Sequence, residues 1–152
     1  MPGKKRIETR DRYRIFSDAT TRWNDNDLHG HLNNAVYNAW MDTAVTDRFR
    51  ELLPGYPDTE IIPVAAETQF TFHSPITHPV EVEIGFRVNR LGNSSIISGV
   101  GIFLRGQPEA AAWGHIVHVW VDRKTNKPVP IPDLVRNGLL KSVLEDSPGS
   151  NP

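Results

Sequence analysis

Two carboxylates, two imidazoles and a glycine fall within the short run Asp25-Asn26-Asp27-Leu28-His29-Gly30-His31. Carboxylates take protons or attack a carbonyl carbon, and imidazoles move protons or orient polar groups. Leu32-Asn33-Asn34-Ala35-Val36-Tyr37 follows at once and opens the long helical pattern of the chain. A helix start leaves N–H groups without helical partners at the positive end of the dipole. A base beside such amides suits attack on a carbonyl whose oxygen becomes negative. Gly30 permits a tight loop or the close approach of a substrate. Asp25 either holds the loop by accepting backbone bonds or joins the chemistry. His31 either orients a substrate or is a hydrogen-bonded structural side chain. Asn34 reads as a helix cap first and a site residue second. His29 and His31 have no third ligand at a sensible spacing, so no metal site and no cofactor is expected.

These groups must be held by the elements around them. Asn33 or Asn34 caps the helix, because a short polar side chain accepts from the N2 or N3 amide. From Val36 to Leu53 the apolar residues Tyr37, Trp40, Met41, Ala44, Val45 and Leu52 recur at three- and four-residue steps. Arg48 falls inside that stripe, which predicts a face only partly buried. Pro54 ends the helix by disfavouring helical geometry in Leu53. Tyr13 to Thr21 reads as a strand before the motif. Four strand patterns follow the helix, at Val64–Phe72, Val80–Val88, Ile96–Leu104 and Ala111–Val121. The last two are continuously apolar, which places them centrally in a sheet. Leu91-Gly92-Asn93-Ser94 is a hairpin turn. Gly85, Gly99, Gly101 and Gly114 lie inside strands, where glycine marks a bulge or a close backbone approach. His115 and His118 point to opposite faces of their strand. Leu134 to Leu144 reads as a short terminal helix. An antiparallel sheet with one apolar face and a helix with one apolar stripe cover each other when the helix packs across a bent sheet.

Composition narrows the function. The chain has 152 residues, 38% hydrophobic and 23% charged, which suits one domain with a real core. The single domain is expected over residues 1–146, with Met1 to Asp11 a frayed start and 147–152 a disordered tail. A net charge of −1 argues for neither nucleic acid nor an anionic membrane. There is no cysteine, so no thiolate nucleophile and no disulfide. The N-terminus lacks the apolar core of a signal peptide, and no apolar run nears the ~20 residues of a membrane span. The expected location is the cytoplasm.

The pattern Asp25-x-Asp27-x-x-Gly30-His31-Leu32-Asn33-Asn34-x-x-Tyr37 resembles the signature of hotdog-fold acyl-CoA thioesterases of the 4-hydroxybenzoyl-CoA thioesterase type. Strand order and the Pro128-x-Pro130-x-Pro132 stretch extend the resemblance over most of the chain. The part from His31 to Asn34 also resembles plant acyl-carrier-protein thioesterases, which leaves the carrier open. The resemblance implies an α+β hotdog fold, a bent antiparallel sheet of about five strands wrapped around one long helix. It implies hydrolysis of an acyl thioester, with Asp27 as base or nucleophile and amides near Asn33 and Asn34 polarising the carbonyl. It also implies sites formed at subunit interfaces, in a homodimer or a dimer of dimers. Many relatives carry a glutamate about one helical turn after the tyrosine. Here that region holds Asp42 and Thr43. Leu28 also makes the loop bulkier than in some relatives.

The remaining expectations concern substrate contacts. Val36, Tyr37, Trp40 and Met41 lie on the first turns of the helix and line either the acyl group or the core. Arg87, Arg90 and Arg105 are the arginines placed to meet the phosphates of coenzyme A, Arg90 above all. Glu67, Gln69 and Thr71 form a polar strand face that a partner subunit would add to the site, or that simply meets solvent. A non-catalytic acyl-CoA-binding protein of the same fold is the alternative to the hydrolase.

Overall fold

The computed structural model describes residues 6–144. The expected tail at 147–152 therefore lies outside the described residues. The elements run β1 (Ile15–Thr20), α1 (Asn34–Leu52), β2 (Ile61–Phe72), β3 (Glu81–Leu91), β4 (Ser95–Leu104), β5 (Ala112–Asp122) and α2 (Asp133–Leu139). The strands form one sheet in the order β1-β3-β4-β5-β2, antiparallel throughout. β4 and β5 each have two neighbours, as their continuous apolar runs require. α1 lies between β1 and β2 in the chain, and those two strands take opposite edges. A five-stranded antiparallel sheet carrying a 19-residue helix is the α+β arrangement expected of a hotdog fold.

α1 starts two residues before the apolar periodicity predicts, because Asn33 caps it. The Asn33 side chain accepts from the Ala35 N–H at 2.9 Å. Tyr37, Met41, Val45 and Phe49 follow at four-residue steps and are all buried against the inner face of the sheet. Residues four apart stack on one side of a helix, so this stripe faces the core, which Val135 and Leu139 of α2 complete. Arg48 lies beside the stripe, half-buried and paired with Glu51. His118 sits on the inner face of β5, its ring edge-on to Phe49 at 5.2 Å. Burial pushes the His118 imidazole down to about 4, so it is neutral at physiological pH. His115 points to the opposite face and reaches Glu67 at 3.4 Å.

Part of the outer face is covered by a segment whose first half, up to Asp11, the sequence assigned to a frayed start and whose Tyr13 it assigned to the first strand. Residues Glu8 to Tyr13 lie across it as a strap. Glu8 pairs with Arg87 at 3.0 Å and with Arg12 at 2.8 Å, and Arg87 stands over the Tyr13 ring at 4.6 Å. The strap escaped the hydrophobic pattern because a buried ion pair holds it, with Tyr13 as its apolar anchor. Arg87, a candidate for phosphate, is consumed by this contact and is buried.

β2 departs from simple alternation. A bulge lies between Ala65 and Glu67. Val64 pairs with Val119 on the outer face, whereas Thr68, Phe70 and Phe72 pair with Ile116, Gly114 and Ala112 on the inner face. One extra residue turns the strand over.

Candidate active site

The loop between β1 and α1 is tied at both ends by Asp25. Its carboxylate accepts from the Arg22 N–H at 2.8 Å and from the Arg22 guanidinium at 3.1 and 3.3 Å. The Asp25 carbonyl accepts from the Asn33 N–H at 2.8 Å. Asp25 is buried, and both of its carboxylate oxygens accept hydrogen bonds from Arg22. Inside the loop, Asp27 and His31 close a tight turn. The Asp27 N–H donates to the His31 carbonyl at 2.8 Å, and the Gly30 N–H to the Asp27 carbonyl at 3.1 Å. Gly30 has φ +75°, a left-handed conformation that glycine adopts without cost. Leu32 then buries its side chain and donates to the Ile76 carbonyl at 2.7 Å. The Asn26 side chain accepts from the His78 N–H at 3.1 Å. The loop is thus fastened to the segment that leads into β3.

The Asp27 carboxylate is half-exposed and held by one oxygen. Its Oδ1 accepts from the His29 N–H at 2.8 Å and from the His31 N–H at 3.4 Å. The His29 bond, helped by the weaker one from His31, holds the Asp27 carboxyl below the usual carboxylate range. Oδ2 has no partner among the described residues.

The amides of this segment can be accounted for one by one. Those of His29 and His31 go to the Asp27 carboxylate, and that of Gly30 to the Asp27 carbonyl. Leu32 donates to Ile76, and Asn33 to Asp25. Ala35 donates to the Asn33 side chain and Val36 to the Asn33 carbonyl. Between His29 and Val36, only the Asn34 N–H has no partner among the described residues. The sequence offered the amides near both Asn33 and Asn34; the first is already spent on the loop.

Asp27, His31 and Asn34 line a cleft of about 360 Å³. Leu32, Tyr37 and Phe72 form its apolar wall, and His73, Ser74 and Pro75 come from the connection between β2 and β3. Tyr37 is buried and meets Phe72 edge-on at 5.1 Å and Phe70 at 6.0 Å. The residues from Phe72 to Pro75 were not singled out from sequence, because only the topology brings the end of β2 beside the loop.

Other candidates lie elsewhere. Met41 is fully buried in the core, on the same stripe as Val45 and Phe49. Val36 and Trp40 line a separate groove with Thr20, Arg22 and Asp25, on the flank of α1 toward β1. Glu67 and Gln69 face outward, across the sheet from the cleft, and bond to His115 and Thr71. Arg90 is at the far end of β3 from the loop, about 30 Å along the strand at ~3.3 Å per residue. Arg105 is paired with Glu81 at 2.8 Å and Asp18 at 3.3 Å. Asp42 is exposed and lies near enough to His118 and Tyr56 for its charge to act on both. Among the described residues, no three His, Asp or Glu side chains form a group that could hold a metal. No described helix is long and apolar enough to cross a membrane.

This cleft can be set beside those of known proteins. No curated protein matches the chain. Among solved structures, the PA5185 protein from Pseudomonas aeruginosa strain PAO1 is 38% identical, over 93% of this chain and 100% of that one, with a TM-score of 0.88. A thioesterase from Thermus thermophilus, complexed with coenzyme A and Zn, is 29% identical over 84% of this chain and 98% of that one, with a TM-score of 0.72. The BH1999 gentisyl-coenzyme A thioesterase is 25% identical over 83% and 99%, with a TM-score of 0.70. The family model of the thioesterase-like superfamily matches residues 21–139, a span that runs from the motif loop to the end of α2. The chain belongs to the thioesterase-like superfamily.

Proposed function

We propose that this protein hydrolyses an acyl thioester, an acyl-CoA, to a free acid and a thiol. The observation that carries the reading is the unpartnered Asn34 N–H at the start of α1, on the same cleft as the free oxygen of Asp27. A thioester carbonyl oxygen bonded to that amide meets the positive end of the helix dipole as it becomes negative. Asp27 then acts in one of two ways. It attacks the carbonyl carbon, expels the thiolate and leaves a mixed anhydride that water opens. Alternatively it takes a proton from water, and the water attacks. Both routes yield carboxylic acid and thiol, and both need the ionised carboxylate that the His29 bond favours. His31 orients the carbonyl from the cleft wall, and the acyl group lies against Leu32, Tyr37 and Phe72. The coenzyme A held by the Thermus thermophilus relative supports an acyl-CoA substrate. The functional unit is a homodimer or a dimer of dimers.

Two variants of one residue test the amide. Asn34 is the first helical residue, where proline is tolerated because no helical bond is lost there. Asn33 before it is extended, with ψ 141°, as a residue before proline prefers. Asn34→Pro deletes the N–H and should lower kcat by about 10²–10³-fold, the loss seen for one oxyanion donor. Asn34→Ala keeps the N–H and should retain most activity. The assay is thiol release from a panel of acyl-CoAs. A folded, fully active Asn34→Pro would remove the amide from the mechanism, and a chain that cleaves none of the panel would remove the hydrolase reading.

A further inference from the structure

The cleft rests on two supports, and only one of them is the loop that carries Asp27. Residues 73–78 give the cleft His73, Ser74 and Pro75, and their far end is fastened to that loop. The Ile76 carbonyl accepts from the Leu32 N–H at 2.7 Å, and the His78 N–H donates to the Asn26 side chain at 3.1 Å. The near end is held by one carbonyl. That of Ala111 accepts from the His73 N–H at 2.9 Å and from the Ser74 N–H at 3.0 Å. The place of Ala111 therefore sets the place of this wall.

Ala111 lies just beyond the regular sheet. The ladder of β4 with β5 ends at Ile102 and Ala112, and the ladder of β2 with β5 ends at Phe72 and Ala112. Ladder ends open more readily than ladder middles when nothing holds them. Here the strap does so. Thr9 forms a β-bridge with Glu109, the Ala110 N–H donates to the Glu8 carbonyl at 2.9 Å, and the Arg10 N–H donates to the Pro108 carbonyl at 3.0 Å. The Arg10 guanidinium adds bonds to the Gln107 carbonyl at 3.0 and 3.2 Å. Residues 8–10 thus run as a short extra strand along 107–110.

So short a pairing does not hold itself. Its anchor is the Glu8 carboxylate, which takes the Arg87 guanidinium at 3.0 and 3.4 Å. Arg87 is itself fixed by Asn89 at 2.8 Å and by the Tyr13 ring. Glu8 and Arg87 are both buried, and removing one member of a buried pair leaves the other charge unmatched. We propose that Glu8 and Arg87 are positioning residues of the active site: their ion pair clamps the strap onto 107–110 and, through Ala111, fixes His73 and Ser74 as one wall of the cleft that Asp27 lines. The assignment rests on the thioesterase reading above.

The test joins amide exchange, read residue by residue by NMR, to thioester kinetics well below the melting temperature. Glu8→Ala should speed exchange of the His73, Ser74 and Ala110 amides by roughly tenfold or more, and leave those of Leu32 and Asn33, on the other support, at the parent rate. KM should rise about fivefold while kcat stays within about twofold, because the loop still holds Asp27 and the Asn34 N–H. Glu8→Gln keeps an acceptor for Arg87 and should recover part of both losses. Val135→Ala, a change in the core beneath α2, is the control. It should lower stability without raising KM or singling out the His73 and Ser74 amides. If Glu8→Ala does not fold, Arg10→Leu carries the test, since it removes only the guanidinium contacts of the strap and should give the same pattern at smaller size. Equal acceleration of all these amides, or the same pattern in Val135→Ala, would make the strap a general stabiliser and overturn the proposal. Faster exchange at Ala110 with His73 and Ser74 unchanged would overturn it too. A natural chain that cleaves no thioester removes the catalytic reading, while the exchange rates still decide whether the strap holds the wall.

Discussion

Asp27 uses one carboxylate oxygen to hold its own turn and leaves the other free. A group so placed contributes little to packing, and its removal should be felt in rate more than in stability. Asp27→Asn should lower kcat by at least ~10²-fold, the low end for losing a positioned acid/base group, while the melting curve stays close to that of the parent. A variant that unfolds would make Asp27 structural. The pH profile follows from the His29 N–H, which favours the ionised carboxylate. The active form is deprotonated and its pKa is lowered. Activity should therefore persist through the ordinary carboxylate range near ~4 and fall only below it. An acid limb centred well above that range would assign the titration to another group. This part of the site was legible in the sequence because Asp25, Asp27, Gly30, His31 and Asn34 are neighbours along the chain and run into a helix start. Which amide stays free was not legible. It depends on Asn33 donating to Asp25, a bond that exists only once the loop has closed. Phe72, His73 and Ser74 were hidden for another reason, since nothing in their residue types separates them from an ordinary strand end.

At the scale of elements, periodicity carried the helix and the strands, and it failed where charge or an extra residue decides. The alternation in β2 put Val64 on the same face as Thr68, Phe70 and Phe72, but the structure sends Val64 to the other face. The bulge at Ala65 to Glu67 leaves no mark in a run of small and polar residues. The strap was missed because Glu8 and Arg87 read as solvated charges until they are seen paired and buried. The strand glycines were the better clue. A Cβ on Gly101 would stand 2.7–2.8 Å from the Tyr13 ring, and one on Gly85 2.8–2.9 Å from Tyr13 atoms. These glycines form the floor on which the strap rests. Gly101→Ala should therefore cost roughly 1–3 kcal/mol, the usual penalty for overpacking, read as a lower denaturation midpoint in urea. The Phe103 ring also lies 2.8 Å from that Cβ, so the same substitution made in a Tyr13→Ala background should lose part of its effect and keep the part due to Phe103. An undiminished effect would place the clash elsewhere.

At the scale of the whole molecule, the two edges of the sheet differ. β1 is short, and the strap rises beside it. β2 is a 12-residue edge strand whose middle, 64–69, is exposed on both faces, and whose last residue Phe72 is 48% accessible. Long edge strands with unpaired N–H and C=O groups template pairing with another chain. α1 packs chiefly on β3 and β4, and reaches β2 through Tyr37 against Phe70 and Phe72. The inner side of β2, next to the cleft, is thus only partly covered in a single chain, with Thr68 and Phe72 exposed. A second copy related by a two-fold axis would pair β2 with its own equivalent and wall the cleft in the same step. It would approach through Thr68, Phe70 and Phe72, not through Glu67 and Gln69, which lie across the sheet from Asp27. The expected outcome is a dimer or larger assembly by light scattering, with specific activity falling as dilution separates the chains. A charge on the inner face, Thr68→Lys, should weaken the assembly and lower activity at a given dilution, and concentrating the variant should restore both. The outer-face change Gln69→Lys should disturb activity less. A stable monomer with full specific activity at every dilution would mean that one chain closes its own site and that the β2 edge is guarded by other means.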